Sequence, residues 1–267
     1  MTDRDKPVTV PGLLAMKARG EKIAALTAYD AAFSAVMDAV GVDLVLVGDS
    51  LGMTVQGHAT TLPVTLEQMA YHAACVSRGL RRAVMVVDLP YLSYATPSRA
   101  LDSAAKLIRE SGAHMVKLEG GRSRIDVVRE LTRQEIPVCA HLGLLPQSVN
   151  RLGGYAVQAR DESTANQLLE DALMLQDAGA LALVLECIPA RLASEVTAAL
   201  SIPTIGIGAG ADCDGQVLVS YDMLGLTNRC PRFCKNFLQS AGDVRGAFAA
   251  YVAAVKAGEF PALKHTF

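Results

Sequence analysis

The sequence has no surplus of charge of either sign: 25 Lys and Arg residues stand against 27 Asp and Glu residues, a net charge of −2. This balance gives no electrostatic basis for binding nucleic acid or an anionic membrane surface. No apolar run approaches the roughly 18 residues that a membrane-spanning helix needs. Charged residues are scarce at 19% and hydrophobic residues reach 51%, so the composition excludes a disordered chain and favours a large buried core.

The cysteines are scattered and lack the paired CxxC spacing of a zinc site. Cys230 and Cys234 lie close together, but no second pair of ligands accompanies them. The N-terminal stretch MTDRDKPVTV is acidic and polar, unlike a secretory signal or an Arg-rich transit peptide. We therefore expect a cytoplasmic protein with reduced, mostly buried thiols. The six cysteines are Cys75, Cys139, Cys187, Cys213, Cys230 and Cys234.

Short apolar runs rich in β-branched residues alternate with amphipathic segments along the whole chain. Nearly continuous apolarity within a run is typical of strands in a parallel sheet that is covered on both faces. The eight predicted strands are Ile23–Ala28, Asp43–Val47, Ala83–Val87, Met115–Leu118, Val138–His141, Ala182–Leu185, Thr204–Ile207 and Val217–Ser220.

Helix signals lie between the predicted strands. Thr96 followed by Pro97 is a favourable N-cap and first helical residue. An extra helix is predicted to begin near Thr9–Pro11, ahead of the first strand. Further helices are predicted at Thr65–Arg78, Ile125–Gln134, Glu162–Gly179 and Asp243–Lys256.

This alternation predicts the α/β class and a closed (β/α)₈ barrel, formed by a single domain over residues 1–267. Eight βα units in about 250 residues is the usual size of such a barrel. An open doubly wound sheet is the alternative. The GIGAG stretch at Gly206–Gly210 does not have the GxGxxG spacing and occurs late in the chain, so it is weak evidence for a dinucleotide site.

Barrel enzymes place their chemistry at the carboxyl ends of the strands. Asp49 follows the second predicted strand, Asp88 the third and Glu119 the fourth. One such acid alone commonly caps a helix or accepts hydrogen bonds from loop amides. Three acids on consecutive strands raise one another's pKa unless a cation neutralises them, and an oxygen-only set favours a hard cation such as Mg²⁺.

Three other polar residues belong to the same strands. Lys117 shares a strand face with Glu119, and three roles are open to it: an ion pair with an Asp, a contact to a substrate carboxylate or enolate oxygen, or a Schiff base. His141 fits a hydrogen-bonded core position as well as a site residue. Glu186 ends a strand of hydrophobic residues, where apolar surroundings would tune a general base.

Seven sequence blocks occur in an order that closely resembles the ketopantoate hydroxymethyltransferase family, from about Ile23 to about Phe237. The chain departs from the family pattern at Leu145 and over Thr227–Cys234. The blocks are LTAYDAAFS, VGDSLGMTVQGHATTLPVT, VVDLPYLSYATP, MVKLEGG, HLGLLPQSVNRLGGY, LVLECIP and IGIGAG.

The resemblance implies a barrel of the phosphoenolpyruvate/pyruvate type that transfers a hydroxymethyl group from 5,10-methylenetetrahydrofolate to 3-methyl-2-oxobutanoate. The product would be 2-dehydropantoate, made through a Mg²⁺-stabilised enolate on the route to pantothenate and coenzyme A. By the same motifs, Asp49, Asp88 and Glu119 would bind Mg²⁺, directly or through water, and Glu186 would accept the proton. Family members form cytoplasmic homodecamers. The expected contacts of the oxo acid are Asp49, Ser50, Asp88 and Lys117.

The chemistry fits these residues, because a 2-oxo acid can chelate Mg²⁺ and the cation then stabilises the enolate. Two other interpretations stay open. A Mg²⁺-dependent lyase or aldolase acting on a 2-oxo acid would share the carboxylates and the enolate, and folate-dependent turnover would separate the two. A non-catalytic barrel that binds a small acid or serves as an assembly scaffold would have little reason to carry three acids, a lysine and a further glutamate at one rim.

Overall fold

The computed structural model describes residues 6–227 and 231–267. Eight parallel strands close into a barrel in sequence order, so the predicted closed barrel is confirmed and the open doubly wound sheet is excluded. The strands are β1 (Ile23–Thr27), β2 (Leu44–Val47), β3 (Val84–Asp88), β4 (Met115–Glu119), β5 (Val138–Gly143), β6 (Ala182–Glu186), β7 (Thr204–Ile207) and β8 (Gly215–Leu218).

Helices surround the barrel and precede its first strand. Short 3₁₀ helices occupy Arg122–Arg124, Pro146–Ser148 and Leu263–His265. The α-helices of the described residues are α1 (Val10–Ala18), α2 (Ala31–Val40), α3 (Leu51–Thr54), α4 (Leu66–Gly79), α5 (Pro97–Ser111), α6 (Ile125–Arg133), α7 (Val149–Leu152), α8 (Glu162–Asp177), α9 (Ala190–Ala199), α10 (Ser220–Met223), α11 (Leu238–Ala241) and α12 (Val244–Lys256).

Side-chain caps explain where the predicted helices begin. The Thr96 hydroxyl accepts a hydrogen bond from the backbone N–H of Arg99, and Pro97 is the first residue of α5. At the start of α4, Thr65 and Gln68 form a reciprocal capping box. Both arrangements satisfy N–H groups that have no partner inside the helix, so the polar residues in the sequence fix the helix starts.

The last strand begins earlier than predicted, at Gly215 rather than Val217, and ends at Leu218 because Ser220 already begins α10. Gly215 pairs with Ile23 of β1. A Cβ atom at position 215 would lie 2.5 Å from the Ile23 carbonyl oxygen, so the close approach of the two strands requires glycine there.

The amino end of the barrel is closed by apolar packing. Leu13 and Met16 of α1 are buried, and they belong to one cluster with interior side chains such as Ile23 and Leu44. The predicted N-terminal helix is therefore part of the core, where it excludes water from that end of the barrel. This leaves the carboxyl end as the open one.

Within the described residues, the structure contains no helix that combines the length and the apolarity needed to cross a membrane. Cys139, Cys187 and Cys213 are buried free thiols, as expected. Cys230 lies outside the described residues. The assignment of residues 1–267 to a single domain stays a prediction.

Candidate active site

The side chains that face the barrel interior are apolar at the amino end of the strands and charged at the carboxyl end. Along β3, Val84 and Val86 are followed two residues on by Asp88, and along β4, Met115 is followed by Lys117 and Glu119. Side chains two residues apart on a strand point to the same face. The charged side chains are therefore concentrated at the carboxyl end of the barrel.

Lys117 and Asp88 form a buried ion pair at this end, with Lys117 Nζ 2.7 Å from Asp88 Oδ1. The second carboxylate oxygen of Asp88, Oδ2, accepts a hydrogen bond of 3.1 Å from the backbone N–H of Asp49. Burial lowers the pKa of Lys117, but Asp88, Glu119 and Asp49 outweigh it and hold the pKa above its usual value. Lys117 is therefore an ammonium ion.

Asp49 is buried near two other acids, Asp88 and Glu119. Burial raises its pKa most, and Asp88 and Glu119 raise it further, whereas Lys117 and a hydrogen bond from Gln147 lower it. The net result is a pKa well above the usual 3.8. Within the described residues no cation forms an ion pair with Asp49, so its negative charge is poorly compensated by the protein.

The tight turn after β2 brings Ser50 into the same region. The Ser50 hydroxyl lies 2.9 Å from the Tyr29 hydroxyl, and burial raises the pKa of Tyr29 to about 12. A Cβ atom at Gly48 would lie 2.8 Å from Ser50 Oγ and 3.4 Å from Asp88 Oδ2. Glycine at position 48 thus allows the chain to bring Ser50 close to Asp88.

His141 lies between two acids, with Nε2 3.2 Å from Glu186 Oε2 and Nδ1 3.6 Å from Glu119 Oε1. Burial and Lys117 lower the pKa of His141, but its contacts with Glu119 and Glu186 raise it more, and the net shift is upward. Both ring nitrogens of His141 therefore face carboxylates at the carboxyl end of the barrel.

The backbone around Glu186 is unusual. Gly143 of β5 has a φ of 93°, and a Cβ atom there would lie 2.1 Å from the Glu186 carbonyl oxygen. Cys187, directly after Glu186, has a φ of 47°, a left-handed conformation that is costly for a residue other than glycine. The Glu186 side chain is 15% exposed against 3% for Glu119, so it is the more accessible acid.

Gln147 is a polar residue of this cluster that the sequence analysis missed. It lies in the 3₁₀ helix Pro146–Ser148 after β5, and its Nε2 donates a hydrogen bond of 2.9 Å to Asp49 Oδ2. Its backbone N–H donates to Glu119 Oε2 over 3.0 Å. A lone glutamine in a loop has no periodicity or spacing that would single it out, although the block HLGLLPQSVNRLGGY contains it.

Aromatic side chains lie around the opening of the barrel. A cavity of about 50 Å³ next to Glu119 is lined by Tyr94 and by Arg124, whose guanidinium lies 5.2 Å from the centre of the Tyr94 ring. Tyr155 is half-exposed, and its hydroxyl donates to the Met53 sulfur over 3.6 Å. Burial, and then nearby acids, raise the pKa of Tyr155. Tyr94 is thus buried beside Glu119, whereas Tyr155 lies near the acids from an exposed position.

Solved structures with the same barrel fold include a member of the phosphoenolpyruvate mutase/isocitrate lyase superfamily. A 2,3-dimethylmalate lyase of that superfamily superposes with a TM-score of 0.58 at 17% identity, covering 81% of this chain and 82% of that chain. A phosphoenolpyruvate phosphomutase from Streptomyces platensis subsp. rosaceus has a TM-score of 0.61 at 12% identity, covering 81% and 83%. At these identities the likeness shows the fold alone, and it confirms the predicted barrel type.

Closer relatives identify the family. Residues 7–263 match the family described as ketopantoate hydroxymethyltransferase. A 3-methyl-2-oxobutanoate hydroxymethyltransferase from Methylococcus capsulatus is 61% identical over 267 residues, 100% of this chain and 98% of that protein. The protein of the same name from Thiobacillus denitrificans is 62% identical over 262 residues, 98% of this chain and 100% of that protein. The chain belongs to the ketopantoate hydroxymethyltransferase family and is an enzyme of the transferase class.

Proposed function

We propose that this enzyme transfers a hydroxymethyl group from 5,10-methylenetetrahydrofolate to 3-methyl-2-oxobutanoate, forming 2-dehydropantoate on the cytoplasmic route to pantothenate and coenzyme A. The relatives' shared name supports the oxo acid as the acceptor. The observation that carries the proposal is one cluster at the open end of the barrel, which contains the three acids predicted to bind a cation, one ammonium group and one more accessible carboxylate. Its members are Asp49, Asp88, Glu119, Lys117 and Glu186.

The donor atoms at this end suit a partly hydrated Mg²⁺ ion held by Asp49, Asp88 and Glu119. Within the described residues, no group of three or more His, Cys, Asp or Glu side chains is arranged to hold a metal ion by itself. Mg²⁺ needs no such cage, because it keeps several waters and is commonly held by one or two carboxylates together with its substrate. Gln147 occupies Oδ2 of Asp49 and Oε2 of Glu119, which leaves Oδ1 of Asp49 for a cation or its waters, while Oε1 of Glu119 lies 3.6 Å from His141 Nδ1. When bound, Mg²⁺ would polarise the oxo group of the substrate.

Lys117 and Ser50, together with Asp49 and Asp88, are proposed to bind the oxo acid. The Lys117 ammonium group, held by Asp88, can offset the negative charge of the substrate carboxylate. A Schiff base needs a neutral amine, and the raised pKa of Lys117 keeps this side chain protonated. The Ser50 hydroxyl can donate a hydrogen bond to a substrate oxygen.

Glu186 is proposed as the base. It removes the proton from the substrate carbon next to the oxo group. The electron pair of that C–H bond is delocalised onto the oxo oxygen, and the substrate becomes an enolate. The enolate carbon then forms a C–C bond with the methylene carbon carried by the folate. The two C–N bonds of that carbon break with their electron pairs left on the nitrogens, which take up the proton removed from the substrate and one proton of a water molecule, and the hydroxyl group of that water remains on the methylene carbon. The contact between Glu186 and His141 would hold the carboxylate in place.

The remaining parts of the proposal concern partners. The resemblance to the family supports a homodecamer, with the oxo acid and the folate as the small-molecule partners. The balanced charge of the sequence gives no basis for a nucleic acid or membrane partner.

Product formation tests the proposal. With Mg²⁺ and 3-methyl-2-oxobutanoate, the purified enzyme should form 2-dehydropantoate only when 5,10-methylenetetrahydrofolate is present. Excess chelator should abolish the activity, and added Mg²⁺ should restore it. Cleavage of a 2-oxo acid without folate would identify a lyase instead, and full activity in excess chelator would show that no cation takes part.

A further inference from the structure

Gln147 connects the ends of two strands that carry predicted cation ligands. It is 7% exposed, and its backbone N–H donates to Glu119 Oε2 while its side-chain Nε2 donates to Asp49 Oδ2. Nε2 also donates to the Leu89 carbonyl oxygen over 3.0 Å. The Tyr94 hydroxyl donates to Oε1 of the same amide.

These contacts leave a single orientation for the amide. A backbone carbonyl such as that of Leu89 can only accept, so the Gln147 side chain must present its NH₂ group there. Both hydrogens of Nε2 are then used, by Asp49 and Leu89, and Oε1 is used by Tyr94. No polar atom of the side chain is left without a partner, so Gln147 acts through its neighbours.

The contrast with Asp88 shows what a neutral donor contributes. Asp88 is paired with the Lys117 ammonium, which compensates its charge as well as orienting it. The Gln147 amide orients Asp49 and carries no charge, so within the described residues no ion pair competes with a cation for Asp49. Hydrogen bonds to ligating carboxylates are known to fix ligand orientation in metal sites.

We infer that Gln147 is a positioning residue for Asp49: it holds Oδ2 and thereby presents the other oxygen, Oδ1, for cation binding. The inference rests on the proposed function, in which Asp49 is a cation ligand. The backbone N–H of Gln147 holds Glu119 in the same manner, but a side-chain substitution leaves that contact in place. The effect of changing the side chain should therefore reach the cation through Asp49.

Mn²⁺ binding, followed by electron paramagnetic resonance of the purified protein, tests this inference without relying on activity. Gln147→Met keeps the length of the side chain and removes its amide, and it should weaken Mn²⁺ binding by about 10-fold, the lower end for residues that orient metal ligands. The spectrum of the Mn²⁺ that still binds should change, because the coordination becomes less constrained. Tyr94→Phe is the matched control: it removes one hydrogen bond of the same network but leaves the contact with Asp49, so it should weaken binding less.

A double substitution separates positioning from a general loss of structure. Because the Gln147 side chain acts through Asp49, Gln147→Met should weaken Mn²⁺ binding little further in an Asp49→Asn background, whereas a general loss of structure would weaken it in both backgrounds and would overturn the inference. A second variant, Gln147→Glu, keeps the size and replaces the donor with an acceptor. It should also weaken Mn²⁺ binding, although its added charge alone would strengthen it. Thermal unfolding of each variant confirms that the protein tested is folded.

The outcomes distinguish this inference from the proposed function. A wild-type protein that does not bind Mn²⁺ would remove the cation from the proposed function. A wild-type protein that binds Mn²⁺, together with unchanged affinity in Gln147→Met and Gln147→Glu, would overturn the role of Gln147 alone. An equal loss in Tyr94→Phe and Gln147→Met would also overturn it, since the contact with Asp49 would then not matter.

Discussion

Two buried aspartates, Asp43 and Asp49, lie at opposite ends of β2 and have opposite surroundings. Asp43 is 2.7 Å from Arg82 Nη2 and 2.6 Å from Lys256 Nζ, and it accepts a hydrogen bond from the backbone N–H of Ala24. Asp49 accepts a hydrogen bond from the neutral amide of Gln147, forms no ion pair within the described residues, and lies near the acids Asp88 and Glu119. The same residue type is thus neutralised at the amino end of the barrel and left uncompensated at the carboxyl end.

The difference between the two aspartates reflects the different roles of the two ends of the barrel. In barrels of this type the amino end contributes stability, whereas the carboxyl end carries the active site. Removing a buried acid from its cationic partners destabilises a fold, because the partners are left with uncompensated charge, whereas buried acids that repel one another lower the free energy of unfolding. Destabilising arrangements such as these repelling acids are expected at functional sites, where they serve binding or catalysis.

The largest effect is expected at the carboxyl end, at Glu186. Glu186→Gln keeps the shape of the side chain and removes the proton acceptor. Turnover should fall by roughly 10²–10⁴, the usual contribution of a general base, while the affinities for oxo acid and Mg²⁺ stay within a few-fold. Steady-state kinetics and calorimetric binding measure the two quantities. Normal binding with near wild-type turnover would show that Glu186 is not the base and would make His141 the next candidate.

The comparison of the two aspartates predicts opposite effects on stability. Asp43→Asn should lower the free energy of unfolding by about 3 kcal/mol, the low end for a broken buried ion pair, because Arg82 and Lys256 are partly exposed. Asp49→Asn should leave the free energy of unfolding unchanged or raise it, because it removes one of several repelling charges. Urea unfolding in the presence of chelator measures both variants. If Asp49→Asn lowered the free energy of unfolding more than Asp43→Asn does, the contrast between the two aspartates would be contradicted.

The pH dependence of stability sharpens the same comparison. Burial and the neighbouring acids hold the pKa of Asp49 well above 3.8, so the folded state binds this proton more tightly than the unfolded state. Protonation of Asp49 therefore adds to the free energy of unfolding, and this contribution grows as the pH falls from the raised pKa of the folded state towards 3.8. Asp49→Asn lacks this gain, so its stability advantage over the wild type should shrink as the pH falls. A difference that is constant with pH would contradict the raised pKa.

Replacing Asp88 should weaken the binding of two ligands, the cation and the oxo acid, together. Asp88→Ala removes a proposed cation ligand and also frees Lys117, which is proposed to contact the oxo acid. We expect the affinities for Mg²⁺ and for 3-methyl-2-oxobutanoate to fall by about 10-fold or more each, on the scale seen when metal sites lose a supporting group. Calorimetric titrations measure both. Loss of one affinity with the other intact would show that the two sites are separate.

The smallest expected effect is at Lys117, where no covalent change should occur. Borohydride treatment in the presence of 3-methyl-2-oxobutanoate should leave the mass of the protein unchanged, because a protonated lysine does not form a Schiff base. Mass spectrometry of the intact protein measures this. A reduced adduct on Lys117 would replace the proposed enolate mechanism with a Schiff-base mechanism.

The barrel and most of the site could be predicted because both depend on strand patterns. Closure of parallel strands brings the residues that follow β2, β3 and β4 to one end, so Asp49, Asp88 and Glu119 converge without any knowledge of the loops. Alternation along β4 places Lys117 on the face of Glu119. The ion pair with Asp88 then follows from the burial of both side chains.

Other contacts could not be predicted, because they depend on loops and on distances between strands. Gln147 reaches Asp49 only through the conformation of the 3₁₀ helix after β5. The contact between His141 and Glu186 depends on the spacing of β5 and β6, which Gly143 allows. The early start of β8 at Gly215 depends on a close approach to β1. None of these leaves a periodic signal in the sequence.

Exchange of the C3 proton of 3-methyl-2-oxobutanoate in D₂O, followed by proton NMR without folate, tests the central claim most directly. The claim is that Glu186, in the acidic cluster at the carboxyl end of the barrel, removes this proton. The wild-type enzyme with Mg²⁺ should catalyse the exchange, excess chelator should stop it, and Glu186→Gln should slow it by roughly 10²–10⁴. Exchange at the uncatalysed rate in the wild type, or equal exchange in wild type and Glu186→Gln, would contradict the claim.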